Sequence, residues 1–337
     1  MIKPINTGLL AFGMSGQVFH APFINAHPAF ALCSVTERNK KVANQFYPDI
    51  VSFDTVDEVI NDPDLELIIV NTPNNTHFDY AVKALTAGKH VLVEKPCTAS
   101  LQQTKELFEI AKQNNRQVFV YQNRRWDSDF QSVKEIIESE KLGKIVELNI
   151  RFERYKTSIG PKIFKETPLP GSGLLYDLGP HLIDQVISLF GRPIDCYKST
   201  ACNRESSQVV DYAFLQLSYP ENLKVNIHTS LLVAQPLPAF VVHGTAGTFI
   251  KERTDVQEKQ LLAHMSPLDV SYGLEADNSE GELTTIDKEG NKSVELIASK
   301  KGDYIKLFEA VYQSLRNNQR YPITEDQILW QMELLEK

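Results

Sequence analysis

The strongest constraint on this chain is a repeated switch of hydrophobic period between its start and Tyr121. Short apolar runs at Thr7–Phe12, Phe30–Val35, Leu65–Val70, His90–Val93 and Gln117–Tyr121 alternate with stretches whose apolar residues recur at helical spacing, such as Tyr80, Ala81, Ala84 and Leu85. Uniformly apolar runs mark strands buried on both faces, and intervening helices supply the cover. The pattern predicts a parallel β-α-β sheet. Ser100, placed three residues before Gln103 and ahead of Leu101, Leu107, Phe108 and Ala111, predicts a capped helix start.

Beyond Asn123 the pattern changes. Asp127–Glu140 reads as a helix, Ile145–Arg154 as a long strand, and Lys156–Gly173 as a loop rich in Gly, Pro and Lys. A helical stretch ends near Phe190-Gly191, and Val209–Ser218 and Leu223–Leu232 follow as strands. Their alternation suits a sheet with one wet face. Asp303–Arg316 and Thr324–Glu336 read as closing helices, and no internal repeat is present. A chain of 337 residues is long enough for two domains. The expected division is residues 1–122 and residues 123–337, the second an α+β domain on a large, mostly antiparallel open sheet.

Several function classes drop out on composition. The net charge is 35 − 43 = −8, which leaves no basic field to hold a nucleic acid backbone. No apolar run approaches the roughly 18–20 residues of a membrane span, and the N-terminus lacks the apolar core of a signal peptide. Cys33, Cys97, Cys196 and Cys202 have no CxxC spacing and are sparse for a disulfide framework, so reduced thiols and a cytoplasmic location are expected. His228, His243 and His264 show no ligand-like spacing, and no metal is assigned.

The first apolar run leads into Ala11-Phe12-Gly13-Met14-Ser15-Gly16 and then an amphipathic stretch from Val18 to Ile24. Binding a pyrophosphate needs a tight turn, close backbone approach, and a helix N-terminus with free N–H groups. Gly13 and Gly16 fill the last two places of GxGxxG, while Ala11 stands in the first, tolerable if its φ stays negative. At the first strand of a βαβ unit this motif predicts a dinucleotide-binding Rossmann domain, with Phe12 to Gly16 as the phosphate loop. The second apolar run ends in Thr36-Glu37-Arg38. An acidic residue there accepts hydrogen bonds from the adenosine ribose and an Arg there pairs with a 2′-phosphate. Glu37 favours NAD, Arg38 allows NADP, and the balance leans to NAD with the choice open.

Three further segments carry a resemblance: Asn71-Thr72-Pro73-Asn74-Asn75-Thr76-His77, Glu94-Lys95-Pro96, and Gly171-Ser172-Gly173-Leu174-Leu175-Tyr176-Asp177-Leu178-Gly179-Pro180-His181. In this order and spacing they resemble the Gfo/Idh/MocA family of sugar and polyol dehydrogenases, over nearly the whole chain. Phe19-His20-Ala21-Pro22-Phe23 and Asn123-Arg124-Arg125-Trp126-Asp127 resemble its scyllo-inositol dehydrogenase branch. The resemblance implies an NAD(P)-dependent oxidoreductase acting on CH–OH groups, with Lys95, Asp177 and His181 as its catalytic set. An ammonium at a parallel strand's end can stabilise a developing alkoxide, and a histidine can take or return the hydroxyl proton. Asp177 and His181, four residues apart, share one face of a helix that either starts near Pro180 or is kinked there.

By the same resemblance, Thr72, Pro73, Asn74 and His77 line the cofactor, with Glu94 and Asn123 as further contacts. Thr76 reads equally as a helix cap. Arg125 and Trp126 suit the border of a sugar-binding site, and Trp126 equally suits packing at the domain junction. The site is expected in the cleft between the domains, and the partners are a small polyol or sugar and further copies of the chain as a homodimer or higher oligomer. The alternative is a cofactor-binding regulator of the same fold, which would not need the catalytic set.

Overall fold

The computed structural model describes residues 3–160 and 163–337. They form two compact units, Met1–Asn123 with Glu258–Tyr272 and Tyr304–Leu329, and Arg124–Gln257 with Gly273–Asp303 and Trp330–Lys337. A sequential division at residue 122 does not follow the two later segments that return to the first unit.

The first unit is built on six parallel strands: β1 (Ile5–Leu9), β2 (Phe30–Thr36), β3 (Val51–Phe53), β4 (Leu67–Val70), β5 (His90–Glu94) and β6 (Val118–Tyr121). Their order is β3-β2-β1-β4-β5-β6, so the chain reverses its direction of sheet growth between β1 and β4. In such sheets the crevice beyond the carboxyl ends at that reversal is where nucleotides bind. Every residue of β4 is buried, as is Val91–Val93 of β5, which matches strands covered on both faces. The strand β3 is absent from the expectation because its three residues are exposed or half-buried and form no apolar run. Ser100 caps Leu101–Gln113 by accepting from the Gln103 N–H at 3.2 Å. Thr76 precedes the helix His77–Thr86 but does not cap it, since its hydroxyl donates back to the Pro73 carbonyl at 2.7 Å.

An aromatic cluster closes the unit. Phe308, on the returning helix Ile305–Asn317, stacks on Phe23 at 5.6 Å and meets the edges or tilted faces of Phe30, Tyr121 and His20. All but Phe30 are at most 1% exposed, and the burial of Phe23 and of Phe308 each contributes about 1.5–3 kcal/mol.

The second unit carries an eight-stranded sheet: β7 (Ile145–Glu153), β8 (Asp195–Ala201), β9 (Tyr212–Ser218), β10 (Lys224–Ser230), β11 (Phe240–Gly244), β12 (Gly247–Lys251), β13 (Gly281–Ile286) and β14 (Lys292–Ile297). The order is β14-β13-β12-β11-β7-β10-β9-β8, and among these pairs only β7 with β10 is parallel. Alternate residues are buried: Leu148, Ile150 and Phe152 of β7, Ala213, Leu215 and Leu217 of β9, and Val225 and Ile227 of β10. The long helix Leu174–Phe190 lies against these three strands. The fold class is as expected: a Rossmann sheet followed by a mostly antiparallel mixed sheet. No helix among the described residues is long and apolar enough to cross a membrane.

Candidate active site

The carboxyl ends of β1 and β4 are stitched together by one side chain. The β1–β4 register pairs Leu9 with Ile69, so two residues later Ala11 comes opposite Asn71. Asn71 Oδ1 accepts from the Ala11 N–H at 3.0 Å, and its Nδ2 donates to the Ala11 carbonyl at 2.8 Å. Ala11 has no positive φ, as the alanine in place of the motif's first glycine requires. A Cβ on Gly16 would lie 2.4 Å from the Ala11 carbonyl oxygen, so only glycine lets this turn approach the strand end so closely. A Cβ on Gly13 would meet nothing within 4 Å, and Met14 is 44% exposed. The loop is therefore tight on the strand side and open at Gly13, which fits the backbone cradle of a dinucleotide pyrophosphate. Phe12 turns the other way, buried against Phe46 and Tyr47.

The segment after the loop is a π-helical turn, Gly16–His20, leading into Ala21–Ala26. Such turns widen the backbone and gather at functional sites. Here it delivers His20 to the end of β5. Glu94 Oε1 accepts from Ser15 Oγ and from His20 Nε2, both at 2.8 Å, and Glu94 Oε2 accepts from the Lys95 N–H at 3.2 Å. His20 is fully buried and packs at a tilt against Tyr121, with ring centroids 4.4 Å apart. Glu94 thus ties the phosphate loop to the backbone of Lys95, which is half-buried and precedes a cis peptide bond to Pro96.

Burial pushes the Glu94 carboxyl up, but the His20 hydrogen bond and charge, the Lys95 ammonium and the Ser15 hydroxyl outweigh it. The group falls from 4.5 to about 2. A pKa depressed on folding contributes stability that is complete above the unfolded value and disappears as pH falls through the folded one. Stability measured between pH 4.5 and 2 is therefore expected to fall less steeply in Glu94→Gln than in the wild type. An unchanged acid limb would assign it to other carboxylates.

His77 sits at the start of its helix with both ring nitrogens on backbone carbonyls, Nδ1 2.8 Å from Pro96 and Nε2 2.8 Å from Thr72. Burial lowers its pKa, and the two carbonyl contacts oppose that shift because they favour the charged ring. Its imidazole joins the loop after β4 to the loop after β5. Thr72 Oγ1 and Thr76 Oγ1 lie 2.7 Å apart, and Pro73 and Asn74 open the short turn between them. At the end of β2, Glu37 is buried and Arg38 exposed. Asn123 is buried where β6 gives way to the turn Asn123–Trp126.

In the second unit, Asp177 and His181 stand on one helix, Leu174–Phe190. Of the two readings offered by Gly179-Pro180, a start near Pro180 does not hold: the helix begins at Leu174 and carries Pro180 in its interior. Gly179 suits the crowded turn, where a Cβ would lie 3.0 Å from Leu175, and the Pro180 carbonyl accepts from Gln331 at 2.7 Å. Asp177 is paired with Lys165 at 2.6 Å, each about a third exposed, and His181 is 7% exposed one turn further on. Lys165 belongs to the short helix Ile163–Glu166, and its neighbour Glu166 is held by Arg204, which also reaches Asp211. A lysine in a four-residue helix after β7 carries no motif that spacing alone could single out.

Arg125 does not present a bare guanidinium. It is forked onto Asp184 of the same long helix, Nε to Oδ2 at 2.7 Å and Nη2 to Oδ1 at 2.8 Å, with both side chains buried. Trp126 is half-buried, and its carbonyl accepts from Gln257 and from the Asp303 N–H. Among the described residues no group of three or more His, Cys, Asp or Glu side chains is placed to hold a metal ion.

Comparison with known proteins settles the lineage. Residues 5–122 match the Gfo/Idh/MocA oxidoreductase family with its NAD-binding Rossmann fold, and residues 130–250 match the Gfo/Idh/MocA C-terminal domain. The chain belongs to the Gfo/Idh/MocA family. Its first unit is an NAD(P)-binding Rossmann domain, and the protein is an oxidoreductase of that family. It is similar to the uncharacterized oxidoreductase YhhX of Escherichia coli, 39% identical over 99% of this chain and 95% of YhhX. A crystal structure of YhhX matches with a TM-score of 0.90, covering 98% of this chain and 95% of that one. It is also similar to the scyllo-inositol 2-dehydrogenase (NADP(+)) IolW of Bacillus subtilis, 33% identical over 97% of this chain and 90% of IolW.

Proposed function

We propose that the protein is an NAD(P)-dependent dehydrogenase of polyols or sugars, with scyllo-inositol and its ketone as first candidates. The observation that carries this reading is a lysine at the carboxyl end of β5, bound through Glu94 to the phosphate loop, in a chain that also holds a helical Asp177–His181 pair. IolW, named for scyllo-inositol, supports the substrate class. The nicotinamide, when bound, accepts or delivers the hydride. His181 takes the hydroxyl proton during oxidation and returns it during reduction. The Lys95 ammonium stabilises the alkoxide as it develops and polarises the carbonyl in the reverse direction. Asp177 orients the substrate hydroxyls or the imidazole, with Lys165 fixing its carboxylate. The remaining cofactor contacts of this reading are Phe12 to Gly16, Thr72, Pro73, Asn74 and Asn123, with Trp126 at the substrate's border. The reading includes a homodimer or higher oligomer, checked by light scattering, acting in the cytoplasm.

Reduction of NAD+ and of NADP+ with scyllo-inositol, myo-inositol, glucose and a wider polyol panel tests the proposal. Turnover on at least one cyclitol or sugar is expected. Tight cofactor binding with no turnover across the panel would overturn it and return the chain to the regulator class.

A further inference from the structure

The two residues that decide between NAD and NADP stand side by side at the end of β2, and the structure treats them differently. A carboxylate at Glu37 repels a 2′-phosphate only where it faces the adenosine ribose. Instead, Glu37 Oε1 accepts from the Val42 N–H at 2.8 Å and the Ala43 N–H at 3.2 Å, while Oε2 accepts from Ser52 Oγ at 2.7 Å. The Glu37 N–H itself donates to the Phe53 carbonyl at 2.9 Å. The side chain is 6% exposed. Its charge therefore sits against the first N–H groups of the helix Ala43–Phe46 and pins β3 alongside β2. A carboxylate with three donors of this kind is held firmly. It does not swing out to meet a ribose without leaving those donors unsatisfied.

Arg38 is left on the outside of the same turn. It is exposed, and so are Asn39 and Lys40. Among the described residues no ion pair is formed by Arg38, whereas Lys41 is paired with Asp54 at 2.8 Å. The rim of the β2 turn is thus positive where the adenosine ribose of a bound dinucleotide lies in a Rossmann fold. A guanidinium matches the oxygens of a phosphate monoester in a bidentate fork.

We infer that this protein takes NADP in preference to NAD, with the 2′-phosphate held by Arg38 and Glu37 serving as an internal cap. The inference rests on the NAD(P)-binding Rossmann domain and is independent of the polyol substrate.

Equilibrium binding to the purified full chain, by calorimetry or fluorescence quenching, tests it without turnover. NADP+ is expected to bind at least about tenfold more tightly than NAD+, and adenosine 2′,5′-bisphosphate more tightly than 5′-AMP, in line with one charge-assisted fork. Added salt should narrow both gaps. Arg38→Ala should weaken NADP+ about tenfold or more and change NAD+ by less than about threefold. Glu37→Gln should leave the NADP+ to NAD+ ratio as it is, since the carboxylate faces the protein. Equal or tighter binding of NAD+ by the wild type would overturn the inference. So would a parallel loss of both cofactors in Arg38→Ala, or a clear gain in NADP+ selectivity in Glu37→Gln. Should Glu37→Gln fail to fold, the wild-type and Arg38→Ala comparisons decide alone. Binding of neither dinucleotide would sink the inference together with the cofactor assignment beneath it.

Discussion

Lys95→Ala is expected to lower kcat by about a thousandfold while leaving NADP+ affinity within a few-fold. Proton management and alkoxide stabilisation by one positioned group are each worth about two to four orders of magnitude. The backbone at this position is held independently of the lysine side chain. Glu94 accepts from the Lys95 N–H, and His77 engages the Pro96 carbonyl. Truncation therefore removes the ammonium and leaves the loop in place, so the loss should fall on kcat. Stopped-flow or steady-state rates with the best polyol substrate, paired with a separate cofactor titration, measure both halves. A variant that keeps more than a tenth of wild-type kcat would remove Lys95 from the chemistry.

The second large effect concerns stability. Lys251, the last residue of β12, is fully buried and donates to Glu275 Oε2 at 2.6 Å, to Ser299 Oγ at 2.9 Å and to the Ser279 carbonyl. Glu275 Oε1 accepts in turn from Thr254 Oγ1 at 2.9 Å, and its side chain is 2% exposed. One ion pair thereby gathers the end of β12, the segment after Gly273 and the segment around Ser299. Removing one partner leaves the other charge in a low-dielectric interior, which costs about 3–5 kcal/mol. Lys251→Met should shift the urea midpoint accordingly, and Lys251→Met with Glu275→Leu should recover much of that loss by removing the stranded carboxylate. An unchanged midpoint in the single variant would show that Glu275 finds other partners.

Much of this architecture could be read from residue order. Buried parallel strands announce themselves as unbroken apolar runs, and the alternating runs of β9 and β10 announce a sheet with one covered face. What stayed hidden depends on register or on chain return. Asn71 matters because the pairing of Leu9 with Ile69 brings it level with Ala11, and no local pattern encodes that pairing. His20 has no role that residue order announces, since only the π-turn aims it at Glu94. Glu37 occupies the place where an acidic residue commonly meets a ribose, yet three donors from its own neighbourhood turn it inward. Arg125 reads as a substrate donor until Asp184, fifty-nine residues later, takes both arms of its fork.

The returning helix has a consequence for how the protein comes into being. When synthesis has reached Asn123, every strand of the parallel sheet exists, yet Tyr304 and Phe308 do not. Phe23 and Phe30 then lack the rings that cover them in the finished molecule. Synthesis delivers most of the second unit before it delivers that cover. The nucleotide-binding half therefore closes only after most of the second unit has been made, and during that interval it carries a sticky aromatic surface of the kind that recruits chaperones.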